Sequence, residues 1–146
     1  LALARSHRDA GEVERGLSVW RHFDAIHPRS FAVAETGAEL LLADGRPDEA
    51  LALLTTHVRR VEEPPPEAWR RLAEAAEAAG RPVRSHEALG EYYVRLGAYE
   101  RAMQQLEIAL DRAEPESPDA LRLDARLEQV RTLQRRRMAD LPVSAR

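Results

Sequence analysis

The chain has no cysteine and no lysine among its 146 residues. Without cysteine it forms no disulfide, offers no thiol nucleophile and binds no metal through thiolate. Aromatic residues make up only 5%, and β-branched residues are few, which argues against strands as the main element. No apolar run approaches the roughly 18 residues needed to cross a bilayer, and no stretch reads as a signal peptide. The net charge of −3 and pI near 6.0 recruit neither nucleic acid nor anionic lipid. A Gly-rich phosphate loop and a nucleophile elbow are also missing.

What is present favours helix. Hydrophobic residues reach 44%, mostly alanine and leucine, and charged residues 32%, the balance of a folded helical chain. The sequence starts at Leu1 rather than Met. Its opening "LALARSHRDAG" reads as the tail of a helix stopped by Gly11, so we expect a fragment of a longer protein.

Gly11, Gly45, Gly80 and Gly97 stand 34, 35 and 17 residues apart, and each precedes a new helical stretch. Pro47 and Pro82 follow two residues later, at the first helical turn, where proline is tolerated. The pattern predicts helices over Leu1–Asp9, Glu12–Ile26, Ser30–Ala43, Pro47–Arg60, Pro66–Ala79, Val83–Leu96 and Tyr99–Ala113. A longer eighth helix runs from Asp119 to Ala139, with Ser117 as N-cap and an apolar stripe of Ala120, Leu123, Leu127, Val130 and Leu133. "EEPPPE" at 62–67 is a stiff connector, not a domain boundary. The expected fold is all-α: one domain over residues 1–146, a solenoid of antiparallel helical hairpins with a longer C-terminal capping helix. The pairs fall at about 1–28, 30–63, 66–97 and 83–114, with the last helix at about 118–139. The 17-residue spacing is half a repeat. Either Val83–Leu96 serves two pairs, or one helix has been lost.

The stretch "HEALGEYYVRLGAYERAMQQLEIAL" resembles the tetratricopeptide repeat. His86 stands where that repeat has a bulky residue, followed by Leu89-Gly90, Tyr93, Gly97, Tyr99, Ala102, Leu106 and Ala109; Pro115 comes one place late. Small residues mark close helix approach, and large ones fill the spaces beside them. Weaker copies run through Ala38, Leu41, Gly45, Ala50 and Leu54, and through Trp69, Leu72, Ala73 and Gly80. The first copy holds Gly11, Gly16, Trp20, Phe23 and Pro28.

With "LRLDARLEQVRTLQRRR" added, residues 86–137 resemble the C-terminal end of the β-barrel assembly-enhancing zinc metalloproteases. The distinctive part is Asp124-Ala125-Arg126-Leu127-Glu128-Gln129. The resemblance implies a periplasmic repeat domain that docks on the outer-membrane β-barrel assembly machinery and its client proteins. It places zinc only in a catalytic domain outside this chain. The alternative is a stand-alone repeat adaptor or scaffold for pilus, secretion or lipoprotein assembly.

The residues themselves assemble no catalyst, so we expect no enzyme and no cofactor in this chain. His86-Glu87 begins a zinc helix motif, but Gly90 takes the second histidine position. His22 and His27 point apart on a helix, and His7 and His57 are alone. Ser85-His86-Glu87 has triad residue types, but consecutive helical residues diverge. Arg135–Arg137 lies near Glu128 and Asp140 with no aromatic platform, so nucleic acid is not expected.

What remains is the groove. In tetratricopeptide folds the first helix of each pair lines the concave surface. By register that surface carries Glu35, Glu39 and Leu42, then Arg70, Glu74 and Glu77, then Glu87, Glu91, Val94 and Arg95 if Val83–Leu96 counts as a first helix. We take Glu35, Glu39, Arg70, Glu74, Glu87, Glu91 and Arg95 as the candidate partner-binding residues. The lysine and asparagine that capture a partner's C-terminal carboxylate in such repeats are missing. The expected partner is a protein or peptide, without direct membrane insertion. A fragment cut before Leu1 is also expected to self-associate through its N-terminal helix pair.

Overall fold

A computed structural model describes residues 12–140. Seven α-helices and no strand occur among them: α1 (Val13–Ile26), α2 (Phe31–Ala43), α3 (Pro47–Arg60), α4 (Pro66–Ala78), α5 (Pro82–Arg95), α6 (Tyr99–Arg112) and α7 (Pro118–Ala139). Each packs on the next in chain order, and α2 also touches α4. This is the expected tetratricopeptide-like solenoid, with helix ends within one residue of the sequence reading. The helix expected over Leu1–Asp9 lies outside the described residues.

The helix boundaries follow from turn chemistry. Gly45, Gly80 and Gly97 have φ of +71°, +66° and +69°, a region open to glycine because it has no Cβ. Each glycine closes a helix in the same way. The amide of Arg46 donates to the Leu41 carbonyl and that of Gly45 to Leu42. Arg81 and Gly80 repeat this on Ala76 and Glu77, and Ala98 and Gly97 on Tyr93 and Val94. This doubly bonded ending satisfies carbonyls that a helix terminus leaves open. The next helix starts on Pro47, Pro66, Pro82 or Pro118 in four of the seven cases. Ser117 caps α7 as expected, its hydroxyl accepting from the Ala120 amide at 3.1 Å.

Close approach explains the small residues. A Cβ on Gly90 would sit 2.9 Å from two Leu106 carbons, so α5 and α6 meet there at glycine-only distance. Ala102, Leu106 and Ala109 are fully buried. Gly37 does the same for α2, where a Cβ would run into the Trp20 ring. The ring is held by its own indole N–H, which donates to the Val33 carbonyl at 2.8 Å.

The core divides at α5. One cluster runs from Val13 and Leu17 of α1 through Leu40, Leu54 and Leu72 to Ala88 of α5. A second joins Ala102, Leu106 and Ala109 of α6 to Leu123, Leu127 and Val130 of α7, with Val83, Tyr93 and Val94 of α5 packed against it. Ser85 and Ala88 of α5 are buried on the α4 side, where the Ser85 hydroxyl donates to the Ala73 carbonyl at 3.1 Å. One helix thus packs α4 with one face and α6 with the other, with no helix between. The outward positions of α7, such as Asp124, Glu128 and Arg135, are exposed and polar, which suits the last helix of a stack.

Candidate interaction surface

The candidate residues fall into two sets, one organised by a single arginine and the other by two, each from a neighbouring helix. On α2 and α4 the organiser is Arg71. Its Nε donates to Glu35 at 2.8 Å and its Nη1 to Glu74 at 2.8 Å, while Nη2 lies 3.9 Å from Glu39. Arg70 adds a 3.6 Å contact to Glu74. The hydrogen bonds to Glu74 and Glu35 hold the Arg71 guanidinium pKa well above its ordinary value, so the charge is permanent there.

The α5 carboxylates turn to α7. Glu87 accepts two bonds from Arg122, from Nε and Nη2, both at 3.0 Å, and one from Arg84 at 2.8 Å. Glu91 accepts from Nε and Nη2 of Arg126 and has Arg95 at 3.7 Å. Glu87 and Glu91 are each only 12% exposed. At that burial an unpaired carboxylate would be costly, and fork-shaped guanidinium pairs offset the cost. Glu87, as the strongest influence, also raises the Arg122 pKa. Arg95 lies 5.5 Å over the Trp69 ring, a cation–π contact tying α5 to α4.

These pairs share a spacing. Glu35 and Arg71 are 36 residues apart, Glu87 and Arg122 35, Glu91 and Arg126 35. A carboxylate on one first-type helix is met by an arginine one repeat later. The sequence reading selected the carboxylates and missed Arg71, Arg122 and Arg126. The signal that could have found them was the repeat period itself, applied to charge rather than to glycine.

A groove of about 580 Å³ opens across α4, α5 and α6. Ala73, Ser85, His86 and Leu89 line it together with Arg70, Glu74, Glu77 and Arg112. His86 Nδ1 and the side-chain amide oxygen of Gln105 share a hydrogen bond at 2.8 Å, which fixes the ring across the α5–α6 seam. Glu77 and Arg112 take part in no ion pair among the described residues. Of the candidate residues, this groove gathers Arg70 and Glu74. Glu35, Glu39, Glu87, Glu91 and Arg95 do not line it.

Among the described residues His57 is the one deeply buried histidine, 3% exposed, with its ring 5.9 Å from Phe31. Its Nε2 has no hydrogen-bond partner among the described residues. Burial pushes its pKa below the ordinary histidine value. No group of three or more His, Asp or Glu side chains is placed to hold a metal among the described residues.

A family model described as the tetratricopeptide repeat matches residues 36–85. The match spans the end of α2, all of α3 and α4, and the start of α5, so the chain carries a tetratricopeptide repeat. No curated protein matches the chain. No helix among the described residues is long and apolar enough to cross a membrane.

Proposed function

We propose that the chain is a non-catalytic protein-interaction domain that receives a partner segment in the α4–α5–α6 groove. The observation that carries this is that Glu77 and Arg112 both line the groove and neither is in an ion pair among the described residues. On the α2–α4 and α5–α7 faces the acids are already met by arginines. A partner there would have to displace charge pairs, whereas a partner in the groove meets two charges still open to it. Rigid helices on three sides hold that surface in place before binding, which lowers the entropy lost on association. The segment that fits carries a basic group toward Glu77 and an acidic one toward Arg112.

The test is substitution in the full-length protein. Glu77→Lys and Arg112→Glu should each weaken partner association while leaving the melting temperature unchanged. Unchanged association with both in place would reject the groove. An assay of the chain for hydrolase activity, with and without zinc, tests the non-catalytic reading.

The narrower reading places the domain at the C-terminus of a periplasmic zinc metalloprotease in outer-membrane protein assembly and quality control. Its support is the resemblance over residues 86–137. In the fold, part of the distinctive run serves packing: Leu127 is core and Arg126 pairs with Glu91. Asp124 and Ala125 are exposed and carry the part of the resemblance that packing leaves unexplained. A helix bearing His-Glu-x-x-His upstream of Leu1 would support this reading. Deleting the domain from the native protein without effect on client cleavage and complex association would reject it, in favour of a stand-alone adaptor.

A further inference from the structure

A second groove, of about 390 Å³, lies where the C-terminal part of α3 meets the first turns of α5 and α7. Its lining holds four guanidinium groups, Arg59, Arg81, Arg84 and Arg122, against two carboxylates, Glu87 and Asp119. Both carboxylates already serve lining arginines. Glu87 accepts from Arg84 and Arg122, and Asp119 accepts from Arg122 at 2.8 Å. Arg81 reaches only Asp48, outside the lining, at 3.4 Å between two exposed side chains. Arg59 is in no ion pair among the described residues. The lining thus holds two more positive than negative groups, in a chain whose net charge is −3.

We infer that this groove binds a phosphoryl group, either free phosphate or a phosphomonoester. In three other clusters the arginine is matched by two carboxylates: Arg46 by Glu49 and Glu14, Arg71 by Glu35 and Glu74, Arg131 by Glu128 and Glu107. Here the surplus, Arg59 on α3 and Arg81 just before α5, stands open to solvent. A phosphate near its dianionic form balances that surplus, and its oxygens accept from guanidinium forks arriving from different directions. A single carboxylate would leave one charge over. The groove has room beyond a bare phosphate, so a phosphorylated side chain fits as well. The site lies on a different surface from the α4–α5–α6 groove, and its test is independent of the interaction reading.

The test is titration of the chain with inorganic phosphate, O-phosphoserine and succinate at fixed ionic strength, since screening alone moves exposed charges. The readout is the Nε–Hε resonances of Arg59 and Arg81. Phosphate and phosphoserine should shift both saturably, and succinate should bind more weakly. The double variant Arg59→Gln/Arg81→Gln should lose about tenfold or more in phosphate affinity. Arg136→Gln, toward the other end of α7, should change nothing. Both lining arginines are exposed, so an unchanged melting temperature will show that the double variant folds. Tighter binding of phosphoserine assigns the site to a phosphorylated partner, and tighter binding of phosphate to the free ion. Absence of saturation, succinate binding as tightly as phosphate, or full affinity in the double variant would overturn the proposal.

Discussion

Glu91 of α5 and Arg126 of α7 lie 35 residues apart in sequence and form a two-pronged pair in the fold, both guanidinium prongs donating to the one carboxylate. The pair joins α5 directly to α7, both of which also pack on α6. With Glu87–Arg122 it fixes α7 against α5 along one face. The capping helix is thereby held by charge as well as by Leu123, Leu127 and Val130.

Arg126→Met should therefore destabilise the fold by about 1–3 kcal/mol, because it leaves a nearly buried carboxylate with only the longer contact to Arg95. Glu91→Gln in the same chain should restore part of that loss. A double-mutant cycle by urea unfolding measures the coupling. The exposed pair Asp48–Arg81, at 3.4 Å, should show a much smaller one.

Gly90→Ala places a Cβ 2.9 Å from Leu106 and should cost about 1–3 kcal/mol through overpacking. Combined with Leu106→Ala, its added cost should fall, since the clashing atoms are gone. Equal costs in both backgrounds would mean that α5 and α6 do not meet at this point.

His57 gives a pH dependence with a definite sign. Its folded pKa is depressed by burial, so the unfolded chain binds the proton more readily. Stability contributed by the neutral ring is present above the unfolded value, near 6.5, and is lost as pH falls from there through the folded pKa. Urea unfolding at pH 7.5 and 5.5 should show lower stability at 5.5. His57→Leu should flatten that part of the slope. Because Nε2 has no partner among the described residues, the variant should be no less stable at pH 7.5.

Ser117→Ala removes the hydroxyl that accepts from Ala120 and should cost about 1 kcal/mol by thermal or urea unfolding. Amide exchange should quicken in the first turn of α7 and not at its far end.

Most of the architecture was legible because it is written in local chemistry. Gly45, Gly80 and Gly97 end helices by backbone conformation, Pro47, Pro66, Pro82 and Pro118 begin them, and Ser117 caps one. Each signal acts within a few residues. Gly90, Ala102 and Ala109 were legible through a fixed packing schedule. The surface was less so. Glu35, Glu87 and Glu91 read as acids open to a partner, since nothing near them in sequence reveals Arg71, Arg122 or Arg126. Those partners arrive only when helices a full repeat apart are laid side by side. The same holds for Arg112, which reaches the groove beside Glu77 only through the α4–α5–α6 stacking. The family match at residues 36–85 falls where the repeat was fainter to the eye, around Ala38, Ala50 and Leu54. All three are buried there, so the pattern survives in small and large core positions after its tyrosines are gone.

The most direct test of the interaction reading is photo-crosslinking in the native host, from a photoreactive residue replacing Glu77 in the full-length protein. The account predicts a discrete protein adduct from position 77 that disappears when Arg112→Glu is added and is not formed from position 136 on α7. No adduct from position 77, or the same products from both positions, would contradict it.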